Sequence, residues 1–376
     1  MIYSIPYAIV AAGLALSWRF NRGRVFFVLL SLAVSYWAMS GYLPLKVPVA
    51  TPQVSKQFLL GVLGIFLPFN ILVFSLLKER GIFTRPGLLR AIFLVTQVGL
   101  AYWAWHALDQ RALSMLNLQL WPTHWTMKTN ITQIGVVLFA AAFLVLLYRS
   151  VVKASALDGG TLGTLVAVAY MLHTWEADSL IWLLAAAAGI LLVALVQDSY
   201  KKAYVDELTN LPGRRSLEEY FLKLGGAYTV AMVDIDHFKK CNDRYGHDVG
   251  DQVLRMIAAH LRKVGGGGKA FRYGGEEFTV VFSGKLSGEA FQALEALRAS
   301  IANNRFVVRS PMRTPTKPED PPQRSDQKKL GITVSIGYAD SDQGSRPYDV
   351  VKAADKALYK AKNGGRNLVC GALALL

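Results

Sequence analysis

Hydrophobic residues follow two different patterns along this chain, and the change falls near residue 197. Before it, long apolar runs almost free of internal charge are separated by short loops; the runs lie near 2–18, 25–44, 57–77, 91–107, 132–148, 161–174 and 179–197. After it, apolar and polar residues alternate with the periods of amphipathic helices and half-buried strands. The pattern therefore predicts a helical N-terminal region followed by a globular α/β domain.

The apolar runs mostly approach the roughly 20 residues that a helix needs to cross hydrocarbon. One such run could be a buried core helix, but seven in succession favour about seven transmembrane helices within residues 1–197. Lys and Arg concentrate in the loops at 19–24, 78–90 and 149–155. The positive-inside rule then places the N-terminus outside and residues 198–376 in the cytoplasm. The first run lacks a charged leading region, so we expect a retained anchor rather than a cleaved signal peptide.

Composition fits this organisation without a nucleic-acid partner. The 376 residues are 53% hydrophobic, yet the formal net charge is +15. Topology and the anionic lipid of the inner leaflet account for much of that charge, so we predict membrane lipid as a partner and no nucleic-acid polymer. Cys241 and Cys370 cannot form a disulfide framework, and a cytoplasmic domain would keep them reduced.

The second half predicts an ordered series of strands and helices. Strands are expected at 227–236 and 331–340, and a hairpin forms where "KAFRY" and "FTVVF" flank "GGEE". Amphipathic helices separate these strands, and one is expected to begin at Ser216 with Glu219 completing a capping box. The order β-α-α-β-β-α-β-α predicts an α/β sandwich with a mixed, largely antiparallel sheet between helices. The proline-rich segment 310–329 is predicted to be a mobile loop.

Acidic residues gather at two points of this predicted sheet. Asp234 and Asp236 end one strand, while Glu276 and Glu277 lie at the hairpin tip. If the two strands are neighbours, the carboxylates converge, and their mutual repulsion is costly unless cations bind between them. Oxygen ligands of this kind select Mg²⁺ or Mn²⁺, which commonly share their coordination shell with substrate phosphates. Solvated turns are the alternative for either acidic pair taken alone.

Other polar residues fit a nucleotide. Lys239 could contact phosphates, and Asn242 and Asp251 offer an amide and a carboxylate suited to the edge of guanine. Lys362 and Arg366 are four residues apart, on one helix face suited to a triphosphate. Each basic residue alone would more commonly lie on a solvated surface. The sequence has no Walker A loop, which excludes P-loop chemistry.

Five segments in succession resemble the motifs of one known family: "DELTNLPGRR", "VDIDHFKKCNDRYGHDVGDQVL", "FRYGGEEF", "TVSIGYA" and "ADKALYKAKNGGRN". They are similar, in order, to the GGDEF domain of bacterial diguanylate cyclases. The resemblance covers roughly residues 204–368 and does not extend into the apolar half. It leads to three predicted regions: a transmembrane sensory or anchoring region at 1–197, a helical linker at 198–206 and a GGDEF domain at 207–376.

The resemblance implies a palm-like nucleotidyl-cyclase fold that condenses two GTP into cyclic di-GMP with release of two pyrophosphates. It also implies catalysis by a homodimer with Mg²⁺ or Mn²⁺ as cofactor. Because the family is bacterial, the membrane predicted from the apolar runs is expected to be the bacterial inner membrane. By position, Asp234, the Ile235 carbonyl and Glu276 would hold the metal, with Glu276 also the general base and Glu277 assisting. The implied substrate contacts are Asn242 and Asp251 for guanine, and Phe238, Lys239, Lys362 and Arg366 for phosphates. The family pattern makes Asp236 structural rather than ligating.

Two departures and two alternatives remain open at this point. The signature is GGEEF, which keeps the charge of GGDEF, and the inhibitory Arg-x-x-Asp motif is replaced by Gly265 and Gly268, so we predict no product inhibition there. One alternative is a catalytically inactive GGDEF module that acts as a GTP or protein receptor. The other is a transporter or seven-helix receptor whose activity lies in the apolar half, which could also bind a small-molecule or protein signal. The apolar runs contain few ionisable groups, so the sequence gives little support for an ion pathway.

Overall fold

We analysed a computed structural model, which describes residues 4–42, 52–106, 116, 118–122, 129–307, 329–344 and 346–372. The chain divides into two compact units, Met1–Tyr200 and Lys201–Leu376. We describe each unit by itself.

The N-terminal unit is helical throughout its regular elements. Within the residues that the structure describes, each predicted apolar run falls on a helix. The described helices are α1 (Ile5–Arg19), α2 (Gly23–Tyr42), α3 (Pro52–Leu76), α4 (Arg85–His106), α5 (Gln133–Lys153), α6 (Ala156–Thr174) and α7 (Ala177–Tyr204). Thr132 caps α5 by accepting a hydrogen bond from the Gly135 amide. Buried aliphatic and aromatic side chains of these helices form one continuous core.

Four helical segments in the described part of the chain are long and apolar enough to cross a membrane. They are Lys56–Leu76, Arg85–Trp105, Gln133–Lys153 and Leu180–Tyr204. Ile5–Arg19 and Gly23–Met39 are apolar but shorter. Helix α6 carries Asp158 in its first turn and is not among the four. The predicted number of seven spans is therefore not confirmed, whereas a region of several apolar helices is.

The C-terminal unit is built on a five-stranded sheet. Its strands are β1 (Tyr228–Ile235), β2 (Lys269–Gly274), β3 (Glu277–Ser283), β6 (Val334–Asp340) and β7 (Val369–Gly371). Their order is β2-β3-β1-β6-β7, and only the β6–β7 pair is parallel. The predicted α/β domain with a mixed, largely antiparallel sheet is confirmed.

Helices cover both faces of this sheet, and its central strand β1 is buried along its whole length. The helices are α8 (Arg214–Phe221), α9 (Phe238–Tyr245), α10 (His247–Leu261), α11 (Ser287–Ala302) and α12 (Pro347–Asn363). Val233 and Ile235 belong to the core that contains α10 and α11, and Val230 and Met232 to the core that contains α8 and α12. Alternation along the strand thus divides β1 between two cores.

Two details of the predicted elements need correction. Helix α8 begins at Arg214 with Gly213 at the N-cap, so the capping box expected at Ser216 is wrong. Glu219 instead accepts a hydrogen bond from the Tyr204 hydroxyl. A short hairpin joins β4 (Arg305–Val307) to β5 (Lys329–Gly331), so Lys329 belongs to a strand. The rest of the proline-rich loop, 310–328, lies outside the described residues.

Candidate active site

Strand register brings the predicted acids together. Strands β1 and β3 pair antiparallel, and Asp234 lies directly opposite Glu277. Glu276 occupies the turn between β2 and β3, where Gly275 has a φ of +47°, a conformation that glycine adopts readily. Side chains alternate along a strand, so Asp234 and Met232 share the face that α12 covers. Acids from two distant stretches of sequence therefore meet at one edge of the sheet.

These carboxylates are held in a way that disfavours their charged forms. Burial raises the pKa of Asp234, and Asp236 raises it further, although Lys362 opposes both effects. Burial also raises the pKa of Glu276 and of Glu277, and in each case the charge of Asp234 adds to the increase. Lys362 is therefore the shared counter-charge of Asp234, Glu276 and Glu277, and it does not cancel the repulsion among them.

Lys362 reaches this group from helix α12. Its Nζ lies 2.9 Å from Asp234 Oδ2, and its side chain is about half-buried in contrast to the buried carboxylate. Arg366 follows the end of α12 with a φ of +65° and is exposed, and its charge lowers the pKa of Asp234 as a smaller effect. Two of the three basic residues predicted to contact phosphates, Lys362 and Arg366, thus lie beside the acids.

Asp236 has a different role from its neighbour. Its carboxylate accepts hydrogen bonds from Thr333 Oγ1 at 2.7 Å, Ser335 Oγ at 2.7 Å and the Asn367 amide at 3.0 Å. These bonds use both oxygens to join the end of β1 to β6 and to the segment after α12. We therefore leave Asp236 out of the candidate metal ligands with which its position in the sequence first grouped it.

Arg272 holds the backbone of the turn that carries Glu276, and sequence reasoning missed it. Its Nη2 donates to the Gly275 carbonyl at 2.7 Å, and its Nη1 donates to Asp206 Oδ1 at 2.7 Å. Burial raises the pKa of Asp206, but hydrogen bonds from Thr209 and Arg272 outweigh it and leave that pKa below its ordinary value. The motif "DELTN" is thereby connected to the turn that carries Glu276, a contact that the spacing of residues in the sequence does not predict.

The residues predicted to contact guanine lie on helices α9 and α10. Asn242 Oδ1 is buried, and in the described part of the chain it has no hydrogen-bond partner. A Cβ added to Gly250 would lie 1.9 Å from this oxygen, so only glycine lets α10 approach it so closely. Asp251, the next residue, is partly buried. A buried acceptor without a donor is costly, and a ligand N–H would satisfy it.

The remaining predicted contacts lie at the start of α9. His237 adopts the left-handed conformation with a φ of +57°, which turns the chain from β1 into the helix that begins at Phe238. The Phe238 side chain is buried in the core, so its backbone is the part that a ligand could reach, and Lys239 is exposed. Ile235 ends β1 opposite Val334, with its side chain buried.

A family model described as "Diguanylate cyclase, GGDEF domain" matches residues 203–368. Residues 203–368 are a GGDEF domain. The resemblance seen in the five motifs is therefore confirmed, and the match does not include the N-terminal unit.

Relatives of this GGDEF domain come from several bacteria. The response regulator PleD of Caulobacter vibrioides is 34% identical over 185 residues, which are 47% of this chain and 37% of PleD. The diguanylate cyclase VdcA of Vibrio cholerae is 37% identical over 173 residues, which are 45% of this chain and 47% of VdcA. The chain thus spans less than half the length of either relative. A crystal structure of the coiled coil and GGDEF domain of DgcB from Caulobacter crescentus with c-di-GMP has a TM-score of 0.43 at 30% identity, covering 50% of this chain and 95% of that one.

The acids of this GGDEF domain fit a divalent cation in chemistry. Their oxygens are the ligands that Mg²⁺ and Mn²⁺ prefer, and the pKa values of Asp234, Glu276 and Glu277 are raised, mainly by burial and further by neighbouring carboxylates, so a bound cation would stabilise their ionised forms. Within the described residues, however, no group of three or more ligating side chains is already close enough to hold a metal. The donor set is suited to a cation that binds together with further oxygen ligands, such as phosphates and water.

Proposed function

We propose that this protein is a membrane-attached diguanylate cyclase that condenses two GTP into cyclic di-GMP and two pyrophosphates. The observation that carries the proposal is the meeting of Asp234 with Glu276 and Glu277 beside Lys362 at one sheet edge. Membership of the GGDEF family and the diguanylate cyclases among the relatives support it.

Each residue has a defined part in the proposed reaction. Glu276 accepts the proton of one GTP's 3′-hydroxyl, whose oxygen then forms a bond to the α-phosphorus of the second GTP, and the bond to pyrophosphate breaks. Asp234, the Ile235 carbonyl and Glu276 would hold Mg²⁺ or Mn²⁺, which when bound neutralises charge on the phosphates. Glu277 assists by keeping the negative potential that attracts the cation.

Substrate recognition divides between two groups of residues. Asn242 and Asp251 bind guanine, and the unpartnered Asn242 Oδ1 favours this assignment. The phosphates are bound by Phe238, through its backbone, together with Lys239, Lys362 and Arg366. Lys362 would exchange its contact with Asp234 for a phosphate oxygen once a cation binds the carboxylate, since its flexible chain allows a short movement.

The proposed catalytic unit is a homodimer, because one GGDEF domain presents one GTP and the product needs two. The test co-expresses wild type with increasing amounts of the inactive variant Glu276→Gln and measures the rate of cyclic di-GMP formation per wild-type molecule. If catalysis needs two functional domains, wild-type subunits paired with the variant cannot complete the product, so this rate should fall as the share of variant rises. A rate per wild-type molecule that does not change with added variant would contradict the dimer.

We further propose three regions: an anchoring or sensory region at 1–197, a linker at 198–206 and the cyclase domain at 207–376. Four helices apolar enough to cross a membrane support attachment to the bacterial inner membrane. The basic loops favour an external N-terminus and a cytoplasmic catalytic domain. Membrane fractionation tests the attachment, and protease access to the cyclase domain in sealed spheroplasts tests the orientation.

The decisive experiment incubates the detergent-solubilised full-length protein with GTP and Mg²⁺ and identifies the nucleotide formed. Cyclic di-GMP in the wild type and none in Glu276→Gln supports the cyclase. A second function, an inactive GTP receptor, is favoured by the Lys362–Asp234 ion pair, which engages a proposed metal ligand. GTP that is bound yet recovered unchanged would establish that receptor function instead.

A further inference from the structure

The N-terminal unit contains a cavity that the cyclase reaction does not use. It measures about 150 Å³ and lies among helices α2, α3 and α4. A cavity of this size in a protein core accommodates a molecule such as benzene. Its volume therefore matches a single ring rather than a bulky cofactor.

The floor of the cavity is formed by an amide pair. Asn70 Nδ2 donates to Gln97 Oε1 at 2.8 Å, and Gln97 Nε2 donates to Asn70 Oδ1 at 2.9 Å. Both side chains are more than nine-tenths buried and line the cavity. A primary amide has two N–H donors and two acceptor lone pairs, so this pairing uses half of each. The floor keeps hydrogen-bonding capacity for a polar head group.

The other lining residues define what kind of head group fits. Aromatic and aliphatic side chains dominate the walls, and none of the described lining residues carries a charge. A charged head would lose its hydration without a counter-ion in such a place. Aromatic rings of Phe58 and Phe66 favour a flat apolar partner. The occupant should therefore be neutral, ring-shaped and able to accept or donate a hydrogen bond.

The mouth of the cavity determines where a tail could go. Trp37 and Tyr102 line it and are each 61% exposed, and Val98 is also exposed. Val98 and Tyr102 lie on the span Arg85–Trp105, and exposed surface of this kind on a membrane span faces lipid. A hydrocarbon tail attached to the ring would leave through this mouth into the bilayer.

We propose that the cavity is a binding site for a quinone-class amphiphile, with a neutral carbonyl- or hydroxyl-bearing ring against Asn70 and Gln97 and a hydrocarbon tail toward lipid. The inference rests on the proposed membrane location and is independent of the cyclase reaction. It gives the N-terminal unit a chemical class of ligand that could inform the GGDEF domain about the state of the membrane.

The test uses full-length protein extracted from membranes, so failure of membrane attachment is seen before the binding experiment begins. The probe is a decyl-tailed benzoquinone carrying a diazirine next to the ring, and crosslinked peptides are mapped by mass spectrometry. We expect labelling of α2, α3 and α4 peptides that untagged decyl-benzoquinone competes and a saturated fatty acid does not.

Variants locate the head group. Asn70→Leu with Gln97→Leu removes two hydrogen bonds and should reduce competable labelling about tenfold. Thr96→Val, on the same helix but exposed and bonded to Ile92, is the matched control and should label like wild type. Ala101→Leu fills the cavity and leaves the Asn70–Gln97 pair unchanged. It should also reduce competable labelling, and it replaces the double variant in the test if that variant does not fold. Equal labelling of all variants, or equal competition by the fatty acid, would show a lipid groove and overturn the proposal.

Discussion

Asp158 in the N-terminal unit and Asp234 in the C-terminal unit are both buried carboxylates, but their partners differ. Arg149 donates to Asp158 Oδ1 from Nε at 3.1 Å and from Nη2 at 2.7 Å, so the two opposite charges pair directly. Asp234 has Lys362 at 2.9 Å but must share it with Glu276 and Glu277. The buried carboxylate Asp158 has an arginine beside it, whereas the buried carboxylate Asp234 shares one lysine with two neighbouring acids.

The difference supports the proposal that Asp158 is structural and Asp234 functional. A buried ion pair with matched partners fixes two helices and has little left to offer a ligand. A group of acids with raised pKa values is costly to keep, and such groups concentrate at sites that bind cations or move protons. The following predictions use this contrast, beginning with the largest expected effect.

Replacing the proposed base should have the largest effect. Glu276→Gln keeps the shape of the side chain but removes its proton acceptor and its charge, so we expect the rate of cyclic di-GMP formation to fall by about 10³-fold or more. Initial rates at saturating GTP and Mg²⁺ measure this. Glu289→Gln, an exposed acid on α11, is the control and should keep wild-type activity. Substantial activity in Glu276→Gln would show that another group is the base.

The two buried aspartates should respond in opposite directions to neutralisation. Asp158→Asn leaves Arg149 buried without its ion-pair partner and should destabilise the N-terminal unit by about 3 kcal/mol. Asp234→Asn should stabilise the C-terminal unit while abolishing activity, because it relieves repulsion among the acids. Destabilisation by Asp234→Asn would mean that its pair with Lys362 outweighs that repulsion.

The chain provides a separate probe for each unit. All 8 tryptophans lie between Trp18 and Trp182, so thermal change in tryptophan fluorescence follows the N-terminal unit. Cys241 is buried in the C-terminal unit, so reaction of its thiol with a maleimide on heating follows that unit. Cys370→Ser removes the half-buried second thiol from the measurement.

The same acids predict a pH and cation dependence of stability. Raised pKa values mean that the folded state binds protons more tightly than the unfolded chain, so their contribution to stability is greatest below the ordinary carboxyl pKa of about 4 and decreases as pH rises. The free energy of unfolding of Asp234→Asn should therefore exceed that of wild type by an amount that grows as pH rises above that range. Added Mg²⁺ should reduce this difference, because it stabilises only the wild type. An advantage unaffected by pH and Mg²⁺ would contradict the proposed cation site.

Guanine recognition should be affected less than chemistry. Asn242→Leu removes the buried acceptor and should lower kcat/KM for GTP by about 10- to 100-fold, mainly through KM. Gly250→Ala should have a similar effect, because its Cβ displaces the Asn242 amide. Steady-state kinetics over a range of GTP concentrations checks both. An unchanged KM in both variants would place guanine elsewhere.

Loosening the turn should reduce the rate without changing substrate affinity. Arg272→Gln loses its contacts to Asp206 and to the Gly275 carbonyl, so Glu276 is held less firmly and kcat should fall about tenfold with KM nearly unchanged. Arg255→Gln, an exposed arginine on α10, is the control. A rise in KM alone would show that Arg272 contacts substrate.

The smallest expected effect is that of added cyclic di-GMP, the proposed product, on the initial rate. Gly265 and Gly268 lie in the turn before β2, where they offer no side chain to bind cyclic di-GMP. Initial rates should therefore be the same with and without added cyclic di-GMP at concentrations well above those formed in the assay. Inhibition of the wild-type protein by added cyclic di-GMP would contradict this prediction.

Prediction from sequence succeeded where local pattern and physical need coincide. The apolar runs predicted the helices of the N-terminal unit correctly, because a continuous apolar run is enough to specify a helix in an apolar setting. The segment "GGEE" predicted the hairpin correctly, because Gly275 permits the turn. It was less exact at element ends: α8 begins at Arg214, since Gly213 is already extended, and Glu219 binds Tyr204 instead of capping the helix. The predicted number of seven spans was not confirmed; α6, one of the helices outside the four long apolar segments, carries a buried ion pair within an otherwise apolar helix.

The sequence by itself determined the chemistry that this protein carries: the acids, the amides and basic residues suited to a nucleotide, and the apolar helices before them. Only the tertiary structure decided which of them act together. The antiparallel register placed Asp234 opposite Glu277. Three hydrogen-bond donors engage the carboxylate of Asp236. Arg272 connects Asp206 to the turn that carries Glu276. Pairings of this kind join residues up to 131 positions apart, and no local periodicity encodes them, because they depend on how strands and helices pack.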